Sequence, residues 1–133
     1  ALSKRGFGRV IIVGSIFGVE HEESSVLQST YRRATQALCK CLAREYGSDG
    51  VTVNTISPGY FDTPLVSRHA ELLATQADKS ADQLLEEWRS ISPIGRLGTP
   101  EEFGSLVAYL CSHSAAFLNG SNIVLDGGTC RSM

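Results

Sequence analysis

The stretch 51–64, VTVNTISPGYFDTP, most limits what this chain can fold into. Val51, Val53 and Ile56 set β-branched apolar side chains in a short run that suits a buried strand. Pro58 ends the hydrogen-bond ladder because it has no amide hydrogen, and Gly59 lets the backbone turn sharply or lets a ligand come close. In open α/β sheets, ligands collect outside the carboxyl ends of the strands, so a strand that stops in such a turn marks a binding crevice. A hydroxyl-bearing loop follows it through Thr63.

The flanking segments fit around that strand. The first six residues read as the last turn of a helix. Residues 9–14, RVIIVG, form an apolar run between two glycines, the pattern of a strand covered on both faces, with Ser15 at its carboxyl end. Residues 19–25 carry three glutamates and no periodicity, which predicts a loop across the rim of the sheet. From about 27 to 46, Leu27, Tyr31, Ala34, Leu38, Cys41 and Leu42 recur at helical spacing, predicting a helix that turns these residues inward and Lys40, Arg44 and Glu45 outward. Gly47 and Gly50 close it. Strand, helix and strand then make one right-handed parallel crossover.

An insertion at about 64–95 follows, polar and helical, with Leu72, Leu73, Leu84, Leu85 and Trp88 as apolar anchors; its length and place predict a substrate loop or lid. Thr99, Pro100, Glu101 and Glu102 form a helix start, a capping hydroxyl followed by proline and acids in the first turn. That helix is expected to reach about His113 with Phe103, Leu106, Val107 and Leu110 inward, before a last strand at 121–126 that Gly127 and Gly128 end. The fold class is α/β: half of a doubly wound parallel sheet, whose first strand leaves an apolar edge that another piece of protein must cover.

At 133 residues, 42% hydrophobic and a net charge of −2, the chain has the size and composition of a single globular domain. Its Lys and Arg residues are scattered, which predicts no nucleic-acid partner. No apolar run approaches the roughly 20 residues that cross a bilayer, and the first residues lack a secretory pattern, so no membrane partner and a cytoplasmic location are expected. Cys39, Cys41, Cys111 and Cys130 lack paired spacing and His21, His69 and His113 do not complement them, so four reduced thiols and no metal site are expected.

The order of these pieces resembles the carboxyl-terminal half of the short-chain dehydrogenase/reductase family. The matching stretches are GRVIIVGS at 8–15, VTVN at 51–54 with Pro58, Gly59 and Thr63, PIGRLGTPEE at 93–102, and DGG at 126–128. The resemblance implies a partial Rossmann-like domain over 1–133. It also implies hydride transfer between NAD or NADP and a small-molecule carbonyl or alcohol, in a homo- or hetero-oligomer. Family members usually associate through the helix beginning near Leu27 and through the last helix and strand.

Residue by residue, Ser15 matches the family's catalytic serine, which polarises the substrate oxygen. Pro58 and Gly59 match the turn beneath the nicotinamide, the backbone at Phe61 matches the group that holds the carboxamide, and Thr63 matches the hydroxyl near the cofactor phosphates. The family's Tyr-x-x-x-Lys pair, aligned without gaps from Leu42 backwards, falls on Gln28 and Arg32. Neither exchanges a proton near neutral pH, so the family's proton relay is expected to fail here. Tyr31 is open to two readings, a displaced acid or a core aromatic, and Thr35 four residues on offers no ammonium to assist it. The Gly-rich turn that receives a pyrophosphate is not among the 133 residues, so this chain alone is expected not to bind NAD or NADP tightly. A second reading is a non-catalytic subunit or scaffold, or a non-redox relative; halohydrin dehalogenases use Ser, Tyr and Arg.

Overall fold

In the computed structural model, which describes residues 2–21 and 25–131, three parallel strands form one sheet in the order β1 (Gly8–Val13), β2 (Val51–Pro58), β3 (Asn122–Leu125). Gly8 pairs with Val51 and Val13 with Ile56, while Thr55 pairs with Asn122 and Pro58 with Leu125. Helix α1 (Val26–Tyr46) connects β1 to β2; α2 (Pro64–Ala77), α3 (Ala81–Ile91) and α4 (Pro100–Cys111) lie between β2 and β3. Leu2–Arg5 is a single 3-10 turn. The expected loop at 19–25 is a turn and bend at Val19 and Glu20, and its part at 22–24 lies outside the described residues.

Alternate residues of the strands feed two cores. Val10, Ile12, Val51 and Val53 meet Cys39, Leu42 and Ala43 of α1, whereas Ile11, Ile56, Ile123 and Leu125 meet Phe103, Leu106, Val107 and Leu110 of α4. The two-residue period of a strand therefore places α1 and α4 on opposite faces. Central β2 is the most deeply buried strand, with Ile56 fully buried and Val53 almost so. Strand β1 is covered less than its apolar run predicts: Val10, Ile11 and Ile12 are half-buried and Val13 is exposed, because β1 stands at the edge of the sheet. The sheet binds its connections through two asparagines, Asn54 buried and Asn119 half-buried. Asn54 Nδ2 donates to Leu118 O (2.8 Å) while its Oδ1 accepts from Ser121 N–H (3.0 Å), and Asn119 joins Val53 N–H to Ala43 O.

The face of α1 corrects the periodicity reading. Cys39 and Ala43 are buried against the sheet with Leu42 half-buried, and Ser29 is buried too, whereas Leu27, Tyr31 and Leu38 are 86%, 68% and 51% exposed, and Ala34 and Cys41 are exposed as well. The helix approaches the sheet on its small residues, and its large apolar residues form a second strip turned outward. An apolar stripe at helical spacing records a buried face without saying what buries it.

The insertion folds as a pair of helices on its own core. Ala70, Leu84, Trp88 and Leu97 are buried, with Leu73 and Leu85 packed against them, but Leu72 points outward, 68% exposed. Trp88 stacks between Tyr60 (centroids 5.0 Å apart) and His69 (5.8 Å), which ties this unit to the turn after β2. Helix α4 starts as its residues predict: Thr99 and Glu102 make a reciprocal capping box, with Pro100 in the first turn. It ends at Cys111, and His113 opens a separate 3-10 turn. All four cysteines are free thiols, Cys39 buried and Cys41 exposed.

Candidate active site

The carboxyl ends of β1, β2 and β3 open on one side of the sheet, and the residues singled out by sequence gather there. Gly14 carries the chain out of β1 pressed against β2: its N–H donates to Ile56 O (2.7 Å), and a Cβ would lie 2.9 Å from Thr55 Cγ2. Ser15 follows in extended conformation and caps the 3-10 turn Ile16–Gly18, its Oγ accepting from Phe17 N–H at 3.3 Å. That bond uses a lone pair of the hydroxyl and leaves its proton for a further hydrogen bond.

Arg32 reaches the same strand end from α1. Its Nη1 donates to Val13 O (3.0 Å), and its Cβ lies against Gly18, where an added Cβ would come within 2.8 Å of it. Gln28 stands one helical turn earlier on the same side of α1 and is exposed. The structure thus brings Ser15 and Arg32 to one strand end with Gln28 at the rim. Tyr31 stands on the outward strip of α1, which removes its reading as a core aromatic.

The turn after β2 is built by close approach. Gly59 N–H donates to Leu125 O (3.0 Å), and a Cβ on Gly59 would lie 2.8 Å from Asp126 Cβ, so the residue type is set by the neighbouring strand end. Phe61 is buried edge-on to Phe103 and bridges to Gly98 through Gly98 N–H to Tyr60 O (2.9 Å) and Asp62 N–H to Gly98 O (2.8 Å). In such a parallel bridge, Phe61's own N–H and C=O point away from Gly98. Thr63 is the N-cap of α2, its Oγ1 accepting from Val66 N–H (3.4 Å), so its hydroxyl stands at a helix N-terminus, where anions are favoured.

Beside these residues lies a cleft of about 500 Å³, within the range of small-molecule sites. Ile16 and Phe17 form one wall, Tyr60, Ile91 and Pro93 another, and Thr129, Cys130 and Arg131 a third; Glu20 and His21 add polar groups. Burial, followed by the Asp126 carboxylate, pushes the Cys130 thiol up to about 12 and keeps it protonated. Sequence reasoning did not find Glu20, His21, Tyr60, Cys130 or Arg131 as cleft residues; Glu20 and Arg131 meet across 111 positions and Tyr60 stacks on Trp88, so no local spacing signals them.

Comparison with known proteins places this architecture in a family. Residues 1–130 match the family described as enoyl-(acyl carrier protein) reductase. An acetoacetyl-CoA reductase of Rhizobium meliloti is 36% identical over 124 residues, covering 93% of this chain and 47% of that protein. A tropinone reductase homologue of Arabidopsis thaliana is 32% identical over 127 residues, covering 96% of this chain and 44% of that protein. The actinorhodin polyketide ketoreductase, crystallised with NADPH, superposes with a TM-score of 0.88 at 27% identity, covering 95% of this chain and 48% of that one. A short-chain dehydrogenase family protein of Francisella tularensis gives a TM-score of 0.86 at 26% identity, over 91% and 50%. The chain belongs to the short-chain dehydrogenase/reductase family. It spans about half the length of the relatives it matches. Among the described residues, no helix is long and apolar enough to cross a membrane.

Proposed function

We propose that this chain carries the nicotinamide- and substrate-facing part of an NAD(P)-dependent oxidoreductase site for small carbonyls or alcohols, with the proton relay of the family lost. What supports this reading is that Ser15 follows β1 while Pro58, Gly59 and Thr63 follow β2, at the same end of a parallel sheet, with Ile16, Phe17 and Tyr60 next to them in the chain lining the cleft, while the slots for the acid/base hold Gln28 and Arg32. The donor set fits the nicotinamide end of a dinucleotide: Thr63 at a helix N-terminus suits a phosphate, and the outward backbone of Phe61 suits a carboxamide. When bound, the nicotinamide supplies or accepts the hydride. Ser15 donates a hydrogen bond to the substrate oxygen, and Arg32 braces the strand end through Val13 O. Gln28 can orient the substrate by hydrogen bonding but cannot deliver a proton.

A second reading, a non-catalytic assembly subunit in the cytoplasm, is favoured by the outward strip of Leu27, Tyr31 and Leu38 on α1, which suits contact with another protein. The two readings separate in the full-length protein by NAD(P)H oxidation against a panel of small ketones and 3-ketoacyl thioesters. The oxidoreductase reading expects feeble wild-type turnover, raised on the order of a hundredfold in Gln28→Tyr/Arg32→Lys, with each single change giving less. Absence of cofactor binding by calorimetry in both proteins overturns that reading and leaves the assembly one. Turnover in wild type that Tyr31→Phe abolishes makes Tyr31 the acid and overturns the relay assignment.

A further inference from the structure

The cleft wall that follows β3 is fastened from three directions. Within the segment 126–131, Asp126 gathers its own chain: Oδ1 accepts from Gly128 N–H (2.9 Å) and Oδ2 from Cys130 N–H (2.7 Å). On the insertion side, buried Ser92 donates from Oγ to Gly127 O (3.2 Å). On the opposite side, Arg131 N–H donates to Glu20 Oε2 (2.7 Å), a bond between residues 111 positions apart that links the segment to the turn after β1. Glu20, Cys130 and Arg131 all line the cleft, so this bond joins two of its walls.

We propose that Glu20 is a positioning residue: its carboxylate latches segment 126–131 along the cleft, and the latched segment sets how large a substrate the cleft admits. The inference rests on the reading of the cleft as the substrate site. Glu20 is exposed, and its acceptor oxygen meets a backbone amide, so the bond is not needed to fill a core. The Arg131 end of the segment is therefore held across the cleft by one side chain. Its release also exposes the Cys130 thiol, now held protonated beside Asp126, to solvent and to alkylation.

The test uses the full-length protein as wild type, Glu20→Ala and Glu20→Gln. Hydrogen exchange of the Cys130 and Arg131 amides and site-resolved alkylation of Cys130 by iodoacetamide report the latch without any turnover. Loss of a hydrogen bond to a charged group corresponds to a rise of about tenfold or more in both rates. The proposal expects at least about threefold in Glu20→Ala, with Glu20→Gln, which keeps an acceptor oxygen, staying below that. A rise under threefold in Glu20→Ala, or an equal rise in Glu20→Gln, overturns it. The substrate role is read in the Gln28→Tyr/Arg32→Lys background with cyclohexanone and the bicyclic 1-decalone. Glu20→Ala is expected to lower the KM for 1-decalone relative to cyclohexanone by threefold or more, with the change in KM exceeding that in kcat. An unchanged KM ratio overturns the size-setting role. If neither ketone turns over, the oxidoreductase reading and the size-setting role built on it both fall, and the exchange and alkylation rates decide the latch alone.

Discussion

Replacing Gly59 by alanine tests whether the turn at the site is set by a neighbouring strand end. Gly59 has no positive φ, so the substitution carries no left-handed backbone strain, and its whole effect comes from the added methyl. That methyl would lie 2.8 Å from Asp126 Cβ and 2.9 Å from Asp126 Cα, inside the roughly 3.5 Å at which carbon atoms attract. One of the two obstructing atoms is backbone, and the turn is held by Gly59 N–H to Leu125 O at 3.0 Å, so relief requires the ends of β2 and β3 to part. Overpacking of this kind costs about 1–3 kcal/mol. Gly104 is the internal control. It lies inside α4, where a Cβ would meet nothing within 4 Å, so Gly104→Ala should stabilise by about 0.5–1 kcal/mol through helix propensity. The assay is urea unfolding of the full-length protein followed by circular dichroism. Opposite shifts of the two midpoints are expected. Gly59→Ala within about 0.5 kcal/mol of wild type would refute the argument that close approach dictates this glycine.

Trp88→Ala removes the ring that Tyr60 and His69 enclose, and truncating a buried aromatic costs about 3–5 kcal/mol, so proteolysis within 64–91 should quicken well before the sheet unfolds, whereas Trp88→Phe should resist it. The Arg96 guanidinium, bound to both oxygens of Glu102, holds that carboxyl at about 2, below the usual 4.5, aided by Thr99 N–H. Because the folded value is depressed, the pair's contribution is complete above about 4.5 and drains as pH falls toward 2. The gap in urea midpoint between wild type and Glu102→Gln should therefore be flat from neutral pH down to about 5 and close below about 4, and a gap that closed near neutrality would remove the pair as its cause.

How much of this was legible in the residues depends on the range over which each feature is specified. Strand β2, the capping box of α4 and the turn at Pro58 and Gly59 are written in adjacent residues, and all stand where the sequence puts them. The face of α1 was misread because Leu27, Tyr31 and Leu38 repeat at helical spacing as a core strip does, while the residues buried against the sheet are Cys39 and Ala43, which are too small to announce themselves by hydropathy. The cleft was illegible for a different reason. Its walls meet through Arg131 to Glu20 and Ser92 to Gly127, contacts between residues 111 and 35 positions apart, and no window of sequence contains both members of the first pair.

Arg32 shows why a matched motif position and its chemistry can part company. Its guanidinium satisfies Val13 O at the end of β1, and its Cβ packs on Gly18, so an arginine in this slot serves the strand end whether or not any proton moves. Lysine is long enough to reach the same carbonyl but presents a point charge without the planar fork, so Arg32→Lys alone keeps one donor and alters its direction. Gln28, exposed one turn away, has no comparable part in the packing and is the freer of the two positions to change. A substitution at position 28 therefore alters an exposed side chain, whereas one at position 32 alters the donor to Val13 O.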